Sequence, residues 1–224
     1  MTAEAPPADA ARMFGDRLPL ACRYADLLCT VGVDRGLIGP REPARIWRRH
    51  LLNSAQLADF VPRGAQVVDV GAGAGLPGIP LLLARPDLSM TLVEPMLRRV
   101  TFLMEVRDAL GLAELQVLRA RAEEVAAASA DVVVARAVAP LPRLLAMTLP
   151  LLRSGGTLLA MKGSAATQEV DDASDALAAA GASATIHMVG VGEDQTAVVE
   201  VRRHAGGITS SGVAIARHGT GAQR

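Results

Sequence analysis

A run of ten residues, Asp69–Gly78, has the composition of a ligand-binding loop. It reads Asp-Val-Gly-Ala-Gly-Ala-Gly-Leu-Pro-Gly and stands between a short apolar stretch and a segment that suits a helix. Gly71, Gly73 and Gly75 remove side chains, so a ligand can lie against the backbone. The helix start adds free N–H groups, and Pro77 is tolerated there because first-turn amides have no intrahelical partner. The run therefore predicts a binding site at a strand-to-helix turn.

Two cofactors compete for this loop. Residues 73–78 match the Gly-x-Gly-x-x-Gly fingerprint of dinucleotide-binding proteins. The overlapping Asp-x-Gly-x-Gly-x-Gly of residues 69–75 resembles motif I of the S-adenosylmethionine-dependent methyltransferases, in which the acid orients the loop and the methionine part of the cofactor. An acid is unfavourable beside a pyrophosphate, which S-adenosylmethionine lacks. The loop favours a methyltransferase and leaves an NAD-binding oxidoreductase as the alternative.

Further candidate cofactor contacts follow the next two apolar strands. Glu94 ends one strand, where a carboxylate accepts hydrogen bonds from both ribose hydroxyls of either cofactor. Ala122 and Glu123 follow the other, where methyltransferases contact the adenine. Glu123 also suits the first turn of an ordinary helix. These positions indicate a nucleoside without deciding between the two cofactors.

The elements that must position these residues alternate between strand and helix. Strands are expected at 66–70, 90–94, 115–118, 131–135 and 156–161, with helices at about 77–85, 96–110, 123–128, 141–152 and 169–180. Such alternation predicts a parallel sheet covered by helices on both faces. Two final strands, 184–189 and 196–201, are joined by too few residues for a parallel crossover and must pair antiparallel. Little chain follows Met161 besides this pair, which argues against the substrate domain of a dehydrogenase.

The predicted fold is therefore α/β, of the class I S-adenosylmethionine-dependent methyltransferase type. We expect a Rossmann-like seven-stranded sheet with a terminal antiparallel hairpin, preceded by an N-terminal helical extension. The predicted organisation is a flexible N-terminus over 1–10, a helical region over 11–62, a methyltransferase domain over 63–203 and a flexible basic tail over 204–224.

Composition narrows the class of protein. The 224 residues are 50% hydrophobic and carry no net charge, so the chain can bury a core and no global field draws it to nucleic acid. No apolar run approaches the ~18 residues of a membrane span, and no secretory signal is visible, so we expect a cytoplasmic protein without a membrane partner. Cys22 and Cys29 alone exclude a disulfide scaffold and a four-cysteine zinc site, and no metal is expected.

The loop after the fourth strand, which normally receives the methyl acceptor, reads Ala-Arg-Ala-Val-Ala-Pro over 135–140. It lacks the Asp/Asn-Pro-Pro-Tyr/Phe pattern of exocyclic amine methylation and a cysteine for covalent attack on cytosine C5. Arg136 instead places a cation where substrate and cofactor meet. Lys162, the only lysine of the chain, follows the fifth strand.

A basic segment precedes the strand–helix pattern. A helix is expected over 43–59, and its arginine cluster comprises Arg41, Arg45, Arg48 and Arg49. His50 and Ser54 share a face of this helix because they are four residues apart. We predict that the helix binds RNA phosphates, with an ordinary solvated face as the alternative. Trp47 is expected in the core.

Together these segments resemble the glucose-inhibited division protein B family, bacterial methyltransferases of guanine N7 in 16S ribosomal RNA. The resemblance extends over about residues 43–201 and rests on Arg49–Ser54, Asp69–Pro80, Arg98–Leu103, Arg136-Ala137 and Lys162-Gly163. It implies S-adenosylmethionine as cofactor and 16S ribosomal RNA, or the small ribosomal subunit, as partner. A small-molecule methyltransferase and an NAD-binding oxidoreductase are the alternatives, and a monomer is the default.

The resemblance also implies roles for single residues. Cofactor contacts are assigned to Gly71, Leu76, Ala122, Glu123 and Arg136, to which the loop and strand arguments add Asp69, Gly73, Gly75 and Glu94. Positions facing the RNA or the target base are assigned to His50, Ser54, Arg98, Arg136 and Lys162, to which the argument from the basic helix adds Arg45 and Arg48. Arg136 and Lys162 are the candidate catalytic residues, in a positioning role. No general base is expected, because guanine N7 has a free lone pair and no proton to lose.

Overall fold

A mixed sheet forms the centre of the protein in a computed structural model, which describes residues 3–190, 194–204 and 214–216. Its strands are β1 Gln66–Val70, β2 Ser89–Val93, β3 Gln116–Leu118, β4 Ala130–Arg136, β5 Leu152–Lys162, β6 Ala182–Val189, β7 Thr196–Arg203 and β8 Ala214–Ala216. They lie in the order β3-β2-β1-β4-β5-β7-β6-β8. The first five strands are parallel, and β7 runs antiparallel to both β5 and β6. The seven predicted strands and the antiparallel pairing at the end are confirmed.

The short strand β8 lies within residues 204–224, which the sequence predicts to be a flexible tail. Residues 214–216 pair in parallel with Thr185–His187 of β6. Without β8 this stretch of β6 would present unpaired backbone groups at a sheet edge, which explains why the pairing is favourable. Residues 205–213 and 217–224 lie outside the described part of the chain.

The helices cover both faces of the sheet. They are α1 Ala8–Phe14, α2 Leu18–Leu27, α3 Asn53–Ala55, α4 Gly78–Ala84, α5 Leu97–Leu110, α6 Leu141–Thr148, α7 Ala166–Asp172 and α8 Ser174–Ala179. The expected helix over 123–128 is only a 3₁₀ turn, Ala122–Glu124, because Val125 adopts an extended backbone (φ −81°, ψ 145°) that ends helical geometry. None of the helices in the described residues is both long and apolar enough to cross a membrane.

The predicted helix over 43–59 is present in a mixed form, which we call the mixed helix. It passes through a 3₁₀ turn Pro43–Arg45, a π-helical segment Ile46–Leu52, α3 and a 3₁₀ segment Gln56–Phe60. The π-helical hydrogen-bond pattern widens the turn relative to an α-helix and changes which side chains share a face. Trp47, at 2% exposure, belongs to the core as predicted.

The N-terminal helices share one hydrophobic core with the sheet. Phe14, Tyr24 and Trp47 belong to the same buried cluster as Val67 of β1 and Leu92 of β2. On the opposite face, a second cluster joins α6 and α8 to the sheet. The helical region over 11–62 is therefore a layer of the methyltransferase fold and not a separate body. Cys22 is half-buried, Cys29 is buried, and both thiols are free.

Residues 3–10, within the segment predicted to be a flexible N-terminus, contact the helical layer. The Ala3 backbone N–H donates to Asp26 Oδ1 at 3.1 Å, and Trp47 Nε1 donates to the Glu4 carbonyl at 2.8 Å. Ala10 is fully buried in α1. These contacts hold the Ala/Pro-rich segment on the helical layer, although its composition is typical of a loose terminus.

Candidate active site

The glycine loop follows β1 at the carboxyl edge of the sheet, as predicted. A side chain at Gly71, where φ is +69°, would place a Cβ 2.8 Å from Val138. A Cβ at Gly78 would lie 2.6 Å from both Asp69 Oδ2 and Leu92 Cδ2. Both positions therefore require glycine. At Gly71 it lets Val138, in the loop after β4, come close, and at Gly78 it lets α4 approach β1 and β2.

Asp69 supports this loop from behind. Its side chain is fully buried, and Oδ2 accepts a hydrogen bond from the Gly78 backbone N–H at 2.9 Å. Burial raises the pKa of Asp69 from 3.8 to about 7, the Gly78 hydrogen bond lowers it, and the charge of Glu94 raises it further. Asp69 thus fixes the start of α4 and lines neither of the cavities beside the loop.

Glu94 joins the end of β2 to the loop. Its side chain is 1% exposed. One carboxylate oxygen, Oε2, accepts from the Gly73 backbone N–H at 3.0 Å, and the other, Oε1, accepts from the Met96 N–H at 2.9 Å. Arg99 Nη1 lies 3.4 Å from Oε2. Glu94 therefore presents an oriented carboxylate at the point where the loop and β2 meet.

Two adjoining cavities surround the loop. The first, which we call the nucleoside cleft, has a volume of ≈ 230 Å³ and is lined by Val70, Gly71, Val93, Glu94, Pro95, Met96, Arg99, Ala120, Arg121, Ala122, Glu123, Ala137, Val138, Arg143 and Met147. The second, the loop cavity, has a volume of ≈ 280 Å³ and is lined by Leu37, Ile38, Gly39, Glu42, His50, Gly71, Ala72, Gly73, Ala74, Leu76, Arg99, Arg136 and Ala137. They meet at Gly71, Arg99 and Ala137, so one extended ligand can occupy both.

A third cavity, which we call the basic cavity, adjoins the loop cavity at Arg136 and Ala137. Its volume is ≈ 270 Å³, and its lining comprises Arg45, Arg49, Arg136, Ala137, Met161, Lys162, Gly163, Asp194, Gln195 and Thr196. Four of these side chains are cationic and one is a carboxylate. The arrangement suits an anionic ligand that reaches the same junction from the opposite side.

Arg136 stands at this junction, at the end of β4. Its Nη2 donates to His50 Nδ1 at 2.8 Å. Its Nη1 is buried and meets no hydrogen-bond partner among residues 3–190, 194–204 and 214–216. Leaving a buried charged donor unpaired is costly, so the site is built for an acceptor that a ligand supplies.

The chain from 137 to 141, which we call the acceptor loop, is held from β5 and α7. Lys162 Nζ donates to the Ala139 carbonyl at 2.6 Å and to Glu169 Oε2 at 2.7 Å. The same Glu169 oxygen accepts from the Leu141 backbone N–H at 2.8 Å. These contacts hold Ala137 in a left-handed backbone conformation (φ 53°), which is unfavourable for a residue with a Cβ.

Comparison with known proteins decides which class of enzyme carries this site. The family model described as rRNA small subunit methyltransferase G matches residues 17–198. The chain belongs to that family. It is a methyltransferase that uses S-adenosylmethionine, and the loop and clefts described above lie where the resemblance placed the cofactor.

Relatives of this methyltransferase are similar over most of their length. A ribosomal RNA small subunit methyltransferase G of Thermobifida fusca is 57% identical over 80% of this chain and 76% of that protein. One of Streptomyces avermitilis is 53% identical over 92% of this chain and 90% of that protein. Among solved structures, an S-adenosylmethionine-dependent methyltransferase of Aquifex aeolicus matches with a TM-score of 0.55 at 18% identity, covering 71% of this chain and 93% of that one. The predicted class I fold is confirmed.

The structure brings most of the predicted cofactor residues of the methyltransferase together. Residues lining the nucleoside cleft or the loop cavity include Gly71, Gly73, Leu76, Glu94, Ala122, Glu123 and Arg136. Two predicted residues lie behind the loop instead. Asp69 is fully buried, and Gly75 packs against Ile79 and the Tyr24 hydroxyl. Both support the shape of the loop, and their direct contact with the cofactor stays a prediction.

The predicted RNA contacts divide into exposed and buried residues. Arg45, Arg48 and Arg98 are exposed, as an RNA contact requires. Ser54 is fully buried and His50 is 7% exposed, so their contact with RNA stays a prediction. Lys162 is also 7% exposed. Its ammonium donates to the Ala139 carbonyl and to Glu169, and its side chain lines the basic cavity.

Three polar side chains of the N-terminal layer were missed by the sequence reasoning. Asn53 Nδ2 donates to the Asp194 carbonyl at 2.6 Å and to Thr196 Oγ1 at 3.1 Å, which joins the mixed helix to the start of β7. Tyr24 Oη donates to the Ala74 carbonyl at 2.8 Å and holds the glycine loop. Glu42 bonds His50. A polar residue within an apolar helical run was the available signal for Asn53.

Proposed function

We propose that this methyltransferase transfers the methyl group of S-adenosylmethionine to N7 of a guanine in 16S ribosomal RNA of the small subunit. The observation that carries the proposal is the junction at Arg136 and Ala137, where the loop cavity meets the basic cavity. A methyl donor on one side and an RNA base on the other would meet at this point. The family to which the chain belongs, named for the small-subunit ribosomal RNA, supports RNA as the acceptor.

The residues present fit the cofactor. The Glu94 carboxylate would accept the ribose hydroxyls, and the adenine would lie against Ala122 and Glu123 in the nucleoside cleft. The methionine part would follow the backbone of the glycine loop into the loop cavity. The buried, unpartnered Nη1 of Arg136 would there meet an acceptor.

Arginines would hold the RNA at the opposite side of the junction. Arg45 and Arg49 line the basic cavity, Arg48 is exposed on the same helix, and Arg98 is exposed on α5. Such side chains bind phosphates and position the strand without reading its sequence. Guanine N7 lies on the major-groove edge, which A-form RNA makes inaccessible, so the target guanine must be unpaired or turned out of the helix.

The reaction requires the protein to align guanine N7 with the methyl group of the cofactor. When bound, S-adenosylmethionine supplies a methyl group on a sulfonium, which passes to the N7 lone pair. N7 carries no proton, so the chain needs no general base. The acceptor loop, held by Lys162 and Glu169, would fix the base in line with the methyl group, and such positioning is a large source of rate acceleration.

The direct test is methyl transfer from labelled S-adenosylmethionine to small ribosomal subunits that lack the modification, with the modified nucleotide identified by mass. Naked 16S RNA is assayed in parallel, and subunits that already carry the modification are the control. We expect 7-methylguanosine at one site. Retained cofactor binding without transfer to either RNA substrate would contradict the proposal and favour a small-molecule acceptor.

We propose further that the enzyme acts as a monomer in the cytoplasm, where small subunits assemble. Light scattering is expected to give a mass near 23.3 kDa. A stable dimer at assay concentration would contradict this part of the proposal and leave the methyl-transfer activity untouched.

A further inference from the structure

A buried polar chain links the N-terminal layer to Arg136, and the proposed reaction does not yet use it. Glu42 Oε2 lies 2.5 Å from His50 Nε2, and His50 Nδ1 lies 2.8 Å from Arg136 Nη2. Arg49 adds a longer ion pair with Glu42, at 3.7 Å. Both ring nitrogens of His50 therefore have protein partners. The residue is also buried, at 7% exposure.

Only one placement of protons fits the hydrogen bonds between Glu42, His50 and Arg136. A guanidinium only donates hydrogen bonds, so His50 Nδ1 must accept from Arg136. Nε2 then carries the ring proton and donates a hydrogen bond to the Glu42 carboxylate. Burial lowers the pKa of His50 from 6.5 to about 4, and the charge of Arg136 lowers it further, while Glu42 opposes both. His50 is therefore neutral at physiological pH, in the tautomer that the geometry requires.

The other end of this hydrogen-bonded series, Arg136, belongs to the wall of the loop cavity. With Nη2 committed to His50, the buried Nη1 of Arg136 has no acceptor within the part of the chain that the structure describes. Arg136 lines the loop cavity, together with Glu42 and His50 themselves. The bound cofactor would place its amino-acid end in this cavity, because the nucleoside cleft takes the ribose and adenine. A carboxylate is the best partner for an oriented guanidinium.

We propose that His50 is a positioning residue that aims the Arg136 guanidinium at the amino-acid carboxylate of the cofactor, and that Glu42 fixes His50 in the required tautomer. The proposal rests on the placement of the cofactor given under the proposed function. It assigns a different role to His50 from the RNA contact that the resemblance implied. It also explains why a buried histidine lies between Glu42 and the end of β4.

The role can be tested with two ligands that differ only at the amino-acid end. S-adenosylhomocysteine carries the carboxylate, and 5′-methylthioadenosine has the same nucleoside and sulfur without it. Affinities are measured by calorimetry for the full chain. An asparagine side chain places its oxygen where His50 Nδ1 stands, whereas glutamine reaches only the Nε2 position. The pair His50→Asn and His50→Gln therefore separates the contact with Arg136 from the contact with Glu42.

We expect His50→Gln to weaken S-adenosylhomocysteine about tenfold to a hundredfold, the range for loss of an oriented hydrogen bond to a charged group. Methylthioadenosine is expected to bind as in the wild type, and His50→Asn to retain most of the affinity for S-adenosylhomocysteine. An equal loss for both ligands would show a merely structural role and overturn the proposal, as would no loss for either.

A second pair keeps the proposal testable should the His50 variants fold poorly. Glu42 is part-exposed, so its substitution disturbs the core less. Glu42→Gln keeps an acceptor for His50 and is expected to retain the ligand selectivity, whereas Glu42→Ala is expected to lose it. Identical selectivity in both variants would overturn the proposal. A wild type that binds S-adenosylhomocysteine selectively but methylates no RNA would remove the proposed function and leave the His50 assignment standing.

Discussion

Asp69 holds its carboxyl group in a fully buried position behind the glycine loop. Its pKa is raised from 3.8 to about 7, chiefly by burial. Because the pKa is higher in the folded protein than in the unfolded chain, the folded state binds more protons between these two values. The free energy of unfolding contributed by Asp69 therefore falls as pH rises from 3.8 to about 7. His50 has the opposite sign, since its lowered pKa makes the unfolded chain bind more protons between about 4 and 6.5.

The contribution of Asp69 is best measured as a difference. Asp69→Asn has no charge to bury, so the unfolding free energy of the wild type relative to the variant should decline by about 2–4 kcal/mol from about pH 4.5 to about pH 8. Urea unfolding at several pH values provides the numbers, and the His50 contribution cancels in the difference. Curves that stay parallel across this range would show that Asp69 titrates normally.

At the scale of elements, the acceptor loop depends on a neighbouring strand and helix. Lys162 of β5 donates a hydrogen bond to the Ala139 carbonyl of the loop, and Glu169 of α7 accepts one from the Leu141 backbone N–H. Ala137 of the same loop has a left-handed backbone. Val138 of the loop packs partly buried against the core and Leu141 at its end is fully buried, whereas Ala137 is exposed. The exposed part of the loop is therefore positioned by two charged side chains outside it.

Removing the Lys162 ammonium should loosen this loop without emptying the cofactor site. Lys162→Met keeps most of the side-chain stem, and we expect kcat to fall about tenfold or more, the usual result of misaligned reactants. The affinity for S-adenosylhomocysteine should change little. Glu169→Gln retains the acceptor oxygen and is expected to have a milder effect. A Lys162→Met enzyme with normal kcat would show that the contact is dispensable.

The mixed helix presents exposed arginines on its outer side. We expect the double variant Arg45→Glu with Arg48→Glu to bind small subunits at least about tenfold more weakly and with a shallower salt dependence, as loss of phosphate contacts requires. Arg12→Glu, on the exposed side of α1, is the matched control for charge reversal. Binding is measured across a salt series. Equal effects of the control and the double variant would argue against a phosphate contact by the mixed helix.

Elements of this kind differ in how well a sequence predicts them. Runs such as Gln66–Val70 and Asp131–Ala135 are apolar and bounded by clear breaks, so the strands and the antiparallel final pair followed from pattern alone. Spacing also put His50 and Ser54 on one face, but only packing decides whether that face is inside. Lys162 gave no signal of its partner because Glu169 meets it through tertiary structure.

At the scale of the whole molecule, one core joins the N-terminal layer to the sheet. Trp47 of the mixed helix and Leu92 of β2 belong to the same buried cluster. Tyr24 bonds the glycine loop directly, so the layer and the cofactor site share contacts as well. The chain should therefore unfold as a unit.

The single tryptophan offers a measurement of this cooperativity. Trp47 fluorescence reports on the N-terminal layer, whereas far-ultraviolet circular dichroism reports on the whole fold. We expect the two urea transitions to coincide in midpoint and slope. Separate transitions would show that residues 11–62 form an independent body, in agreement with the organisation expected from the sequence.

The position of β7 has a consequence for the order of events during synthesis. β7 is late in the chain, yet it lies between β5 and β6 and supplies the pairing that attaches β6 to the sheet. A nascent chain that has released β6 but not β7 has no place in the sheet for β6. The start of β7 also completes the wall of the basic cavity through Thr196. The basic cavity is therefore complete only after β7 has been synthesised and has paired with β5, so strands β1 to β5 alone do not form it.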